Sequence, residues 1–145
     1  MVDDPSSARP ELVDGLVQLS FAVQSVLSDA ANANDLSIPQ LRLLGVLRDR
    51  QPGMLQLATL FGVDKSSMTG LVDRAEQRGL VRRQPAAHDR RSVQVSITPA
   101  GSKLATEVEA AVYRRVSSLV ARLSRRDQAE LETLATRLTG ESGAG

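Results

Sequence analysis

The sequence predicts a mainly α-helical (α+β) chain with a single β-hairpin, in the order α-α-α-α-β-β-α-α. Three observations predict it. Apolar residues recur at helical spacing towards both ends of the chain. Two short apolar-faced segments in the middle meet at a glycine. One stretch, VQVSI at 93–97, switches to strict alternation of apolar and polar residues.

Residues 1–10, with two prolines and two serines, read as a flexible lead-in. From 11 to about 32, Leu12, Leu16, Leu19, Val23, Val26 and Ala30 make one helical stripe, which the run AANAND then breaks. A second helix begins at Ser37. Ser37 with Gln40 fits a capping box, and Pro39 is tolerated in the first turn. Ile38, Leu41, Leu44 and Leu47 supply its expected inner face, and QPG at 51–53 ends it. A third helix spans about Met54 to Phe61. Gly62 makes the turn, and Asp64 caps a fourth helix that runs through Met68, Leu71, Val72 and Ala75. Gly79 sits where that helix takes its left-handed closing residue. Leu80 to Arg83 is the expected partner of the strand whose buried face carries Val93, Val95 and Ile97. Thr98-Pro99 then starts a long helix with the stripe Leu104, Val108, Val112, Val116, Leu119 and Leu123. Ser124 and Asp127 open a last helix, expected to keep Leu131, Leu134 and Leu138 inside. Residues 141–145 form a Gly/Ser-type tail.

Composition narrows the function. The chain has 145 residues and no cysteine, which excludes disulfides and thiol catalysis. With one histidine, a metal site is not expected either. No apolar run is long enough to span a membrane, and the first residues lack the apolar core of a secretion signal, so a cytoplasmic protein is expected. The net charge of +1 is unevenly spread. Residues 1–39 hold one arginine against six carboxylates, whereas residues 64–91 hold seven Lys/Arg against four. That local excess points mildly to a polyanionic partner. No P-loop, dinucleotide fingerprint or Ser-His-Asp set is present, so neither an enzyme nor a cofactor is expected.

The segment LATLFGVDKSSMTGL at 57–71 has the spacing of a helix-turn-helix. Small Ala58 lets the second helix approach, Gly62 permits the turn, and Met68 points back into the junction. The outer face of the second helix then carries Lys65, Ser66, Ser67, Thr69 and Arg74, side chains able to meet base edges and phosphates. The serines also favour a helix start in their own right. Gly70 is the odd residue, since a mid-helix glycine costs about 1 kcal/mol relative to alanine.

The runs VDRA at 72–75, RGLV at 78–81, DRR at 89–91 and IT at 97–98 resemble the multiple-antibiotic-resistance regulator (MarR) family, and the resemblance extends over nearly the whole chain. It implies a winged helix-turn-helix over 37–100, between dimerisation helices at 11–33 and 101–140. It further implies a homodimeric regulator, read here as a repressor, that binds double-stranded DNA at a pseudo-palindromic operator. By the same resemblance Arg91 is the wing arginine that reaches the minor groove, and Asp89 shapes the wing. Arg90 and His88 beside them are candidate wing contacts, and both also read as solvated turn residues. A solvated, self-paired turn would also account for Asp89 and Arg91. Gly70 and Ala75 depart from the family pattern, which commonly has larger residues there. The family also implies a small aromatic or phenolic effector. The sequence defines no pocket for one. Arg42, Arg48 and Arg50 are candidates to pair a carboxylate, and each reads more simply as a solvated helix charge. The alternative reading is a winged-helix module that binds an acidic protein instead of DNA.

Overall fold

The computed structural model describes residues 8–140. The lead-in before residue 8 and the tail at 141–145 lie outside the described residues. Six helices and one hairpin follow in the expected order: α1 (Pro10–Asn32), α2 (Ile38–Leu47), α3 (Met54–Phe61), α4 (Lys65–Gln77), β1 (Val81–Pro85), β2 (Val93–Ile97), α5 (Pro99–Val120) and α6 (Arg125–Thr139). The chain forms two compact units, the first ending at Val112 and the second starting at Tyr113.

Local chemistry sets most boundaries in the first unit. Ser37 Oγ accepts from the Gln40 amide at 3.2 Å, and Gln40 Oε1 accepts from the Ser37 amide at 2.9 Å, which closes the capping box of α2. Gly62 ends α3 at φ +65°, in the left-handed region that glycine enters without penalty. Val63 N then returns to Ala58 O, closing the turn into α4. The core beneath these elements is built of Leu43, Leu44, Leu57, Met68, Val72, Val81, Val95 and Val108, all essentially inaccessible to solvent. Met68 points back into the helix-turn-helix junction as its spacing predicts.

Several expectations need correction. Leu43, not Ile38, faces inward from α2, because the helix turns its Leu43–Leu44–Leu47 edge to the core. β1 starts and ends later than Leu80–Arg83. The alternation in β2 does not hold at its ends. Val93 is 43% exposed near the wing tip, while Ser96 is buried and its hydroxyl accepts from Arg82 Nε at 3.3 Å. The QPG turn does more than stop α2. Pro52 O accepts from Val95 N at 2.9 Å and Gly53 bridges Gln94, so the free edge of β2 is paired.

The start of α5 is the tightest junction. Thr98 Oγ1 accepts from Gly101 N at 3.0 Å and donates to Gly79 O at 2.6 Å, while Thr98 N donates to Leu80 O at 3.0 Å. Gly101 lies directly over Leu80, so close that a Cβ there would overlap the Leu80 carbonyl oxygen.

The ends of the chain leave apolar surface uncovered. On α1 only Val26, Ala30 and Ala31 are buried, and Leu12, Leu16, Leu19 and Phe21 face solvent, Phe21 at 60%. In the second unit, Ser124 Oγ caps α6 by accepting from Asp127 N at 3.1 Å. No residue of α6 is buried. Leu131, Leu134 and Leu138 were expected inside and are exposed, because the second unit holds only α6 and the end of α5, too little to bury them. Tyr113 is 74% exposed.

Candidate nucleic-acid interface

Asp64 builds the N-terminus of α4. Its Oδ1 accepts from the Ser67 amide at 2.7 Å and its Oδ2 from the Ser67 hydroxyl at 2.9 Å. The backbone bond is the larger cause, and the hydroxyl the next, of an Asp64 carboxyl held below the ordinary aspartate range. Ser67 is thereby engaged in the cap, and the Thr69 hydroxyl donates to Lys65 O at 2.9 Å. Lys65 and Ser66 stand exposed at the tip of the helix.

The wing tip is shaped by Asp89. Its Oδ1 accepts from the Arg91 amide at 3.0 Å and its Oδ2 from the Ser92 hydroxyl at 3.2 Å. Asp89 therefore binds the backbone of Arg91, not its guanidinium. His88, Arg90 and Arg91 are all exposed.

An ion-pair clasp that the sequence reading missed joins wing to helix. Arg83, on β1, donates from Nη2 to Asp73 Oδ1 at 2.6 Å and from Nη1 to Glu76 Oε1 at 3.0 Å, and its amide reaches Glu76 Oε2 at 2.9 Å. Asp73 and Glu76 lie three apart on α4, so one guanidinium spans both. No local signal announces the pairing, although carboxylates at helical spacing followed by a strand arginine could have suggested it. A second tie holds the far end of α4. Arg78 donates from Nη1 to Asp35 O at 2.6 Å and from Nη2 to Asn34 O at 3.2 Å.

Between α3, α4 and the wing lies a groove of about 930 Å³. Lys65 and Thr69 of α4 line it together with Arg83, His88 and Arg91 from the hairpin, and no carboxylate does. Ser66, Arg74 and Arg90 are not among its walls. Arg74 instead borders a separate hollow of about 330 Å³ with Arg42, Phe61 and Ser67.

Two of the candidate effector arginines are already engaged. Arg42 lies over the Phe61 ring, 4.4 Å from its centroid, and donates to Leu60 O at 3.0 Å. Arg48 donates to Glu109 Oε1 at 2.5 Å. Arg50 borders a shallow depression beside α3.

Comparison with known proteins agrees with this geometry. Residues 34–92, from the end of α1 to the wing, match the model of the MarR family. That match takes in the helix-turn-helix and the first part of the wing. Over 89 residues it is 36% identical to a putative transcriptional regulatory protein for the hcr operon of Thauera aromatica; the match takes in 60% of this chain and 54%, about half, of that protein. The crystal structure of NadR in complex with 4-hydroxyphenylacetate is 26% identical, with a TM-score of 0.74 over 95% of this chain and 97% of NadR. The structure of RV1404 from Mycobacterium tuberculosis superposes with a TM-score of 0.81 over 97% of this chain and 100% of its own, at 23% identity, a likeness of fold. This fold is thus common to proteins that share about a quarter of their residues with this chain. Among the described residues no helix is long and apolar enough to cross a membrane.

Proposed function

We propose that this chain is a transcriptional regulator of the MarR family, a repressor, that binds double-stranded DNA as a homodimer. The observation that carries the reading is the groove between α4 and the wing. It is walled by a lysine, two arginines and a histidine, with no carboxylate. Arg83 is already paired with Asp73 and Glu76, and the remaining charges, Lys65 and Arg91, suit a polyanion. In this reading residues 37–100 form the DNA-binding lobe. Lys65 meets phosphate. Ser66, Ser67, Thr69 and Arg74 face the major groove. Arg91, with Arg90 and His88 beside it, enters the adjacent minor groove on a turn held by Asp89.

Residues 11–33 and 101–140 supply the dimer contact. The exposed Leu12, Leu16 and Leu19 of α1, and Leu131, Leu134 and Leu138 of α6, are the surfaces it would cover. Two-fold symmetry would place the recognition helices about one DNA turn apart, roughly 34–36 Å, on a pseudo-palindromic operator. Light scattering at micromolar concentration should give twice 15.5 kDa. The likeness to NadR supports a small phenolic acid as relieving effector, and isothermal titration with 4-hydroxyphenylacetate tests that part alone.

The DNA reading is tested by fluorescence anisotropy on a random-sequence duplex and on a selected operator. Lys65→Ala should weaken binding to both and lower the salt slope by about one. Arg91→Ala should cost about 1–3 kcal/mol on the operator, concentrated at A·T-rich flanks. Absence of salt-dependent binding to any duplex would favour a module that docks an acidic protein.

A further inference from the structure

Gly70 is the one glycine in the exposed half of α4, and the surroundings of its missing side chain are specific. A Cβ built there meets one atom within 4 Å outside the helix's own backbone: Nη1 of Arg74, at 3.2 Å. Side chains on a helix lean towards its N-terminus, so a residue four places on covers the turn before its own. The Arg74 guanidinium therefore lies over Gly70, one turn nearer the tip of the helix than the arginine's own Cα. It borders a hollow with Ser67 and Phe61, away from the Asp73–Glu76 edge held by Arg83.

We propose that Gly70 and Arg74 form one base-reading unit, in which the bare backbone at Gly70 seats the Arg74 fork and the pair selects guanine in the major groove. The inference rests on the DNA-binding reading above. The glycine disfavours the helix, and no turn, positive φ or backbone contact requires it: it is absent from the left-handed positions, and no backbone atom approaches its Cβ site. What the absent side chain leaves is room for one guanidinium. A guanidinium has a planar fork of donors, and guanine alone among the bases offers two acceptors, O6 and N7, side by side in the major groove. Seating the fork against the helix shortens its free reach and fixes its plane. A side chain at position 70 would displace the guanidinium and leave the rest of the lobe untouched.

The test is selection from a library of duplexes with a randomised core, using the full-length protein and its variants. The wild type should return a guanine favoured about tenfold or more at a fixed place in each half-site. Arg74→Ala and Arg74→Lys should flatten that position, since lysine lacks the fork. Gly70→Leu should flatten it too, with Arg74 still present, and Gly70→Ala should do so in part, because the guanidinium need give way by only a few tenths of an ångström. Thermal melts should show both Gly70 variants as stable as the wild type or more so, which separates a lost seat from a lost fold. The proposal is overturned if Gly70→Leu keeps the guanine preference. It is equally overturned if Arg74→Ala weakens all sequences alike with a salt slope lower by one, the mark of a phosphate contact. A wild type that binds no duplex would overturn the DNA-binding reading itself, a different result from either.

Discussion

Gly101→Ala sets two known effects of opposite sign against each other. In an exposed helix interior the change would stabilise the protein by about 1 kcal/mol, the ordinary preference of a helix for alanine over glycine. Here the new methyl would overlap the Leu80 carbonyl oxygen and stand 2.9 Å from both the Leu80 carbonyl carbon and Ile97 Cγ1. Two of these three atoms are backbone, so no rotamer change relieves the contact. The start of α5 has to retreat by about 1 Å or more to reach ordinary van der Waals separation. That retreat stretches the bonds from Thr98 N to Leu80 O and from Thr98 Oγ1 to Gly79 O. Overpacking of this kind costs about 1–3 kcal/mol, and each weakened hydrogen bond adds about 1 kcal/mol. The net expectation is a loss of roughly 2–4 kcal/mol, or about 10 °C in melting temperature. Thermal unfolding followed by far-UV circular dichroism, with both proteins at the same concentration, reads it directly. A Gly101→Ala protein that melts with the wild type or above it would refute the argument, because helix preference would then have outweighed the contact.

The other expectations concern the cap and the clasp. Asp64 has its folded pKa depressed by the Ser67 amide and hydroxyl, so the stability it lends is present at neutral pH and lost as pH falls through the folded value, below about pH 4. Asp64→Asn keeps a capping oxygen without the charge, and should therefore flatten that part of the acid-unfolding profile while leaving the neutral melt nearly unchanged. Arg83→Met removes exposed ion pairs of a kind that contribute under about 1 kcal/mol, so its melt should move little. Its operator affinity, read by anisotropy, should fall several-fold, because the wing loses its fixed pitch and Asp73 and Glu76 are left uncompensated. Equal losses in both readouts would mean that the clasp serves only the fold.

Much of this architecture was legible because its signals are local. The Ser37–Gln40 box, Gly62, the Asp64 cap, Gly79 and Thr98-Pro99 each act within one turn of chain, and each sits where its residue type requires. What escaped depends on residues far apart in sequence. Ile38 and Leu43 have the same hydrophobicity, and only the packing of α2 decides between them. Val93 and Ser96 exchange their expected environments because the strand continues past the core to the wing tip, and because Arg82 supplies a partner for Ser96. The leucines of α6 obey the helical period, yet periodicity says which residues share a face and not what that face meets. In the candidate interface, the grouping of Lys65, Thr69, His88 and Arg91 follows from the fold. The Arg83 clasp and the seat at Gly70 appear only when distances are known.

Tyr113 has an optical consequence. The chain contains no tryptophan, and this is its one tyrosine. Its intrinsic ultraviolet emission therefore comes essentially from a single ring that stands in water on the later part of α5. The groove walls all fall between residues 51 and 94, remote in sequence from that ring. The molecule thus carries one built-in lamp, placed on a helix that belongs to the proposed dimer contact. Its brightness can report on that helix without a dye attached anywhere on the protein.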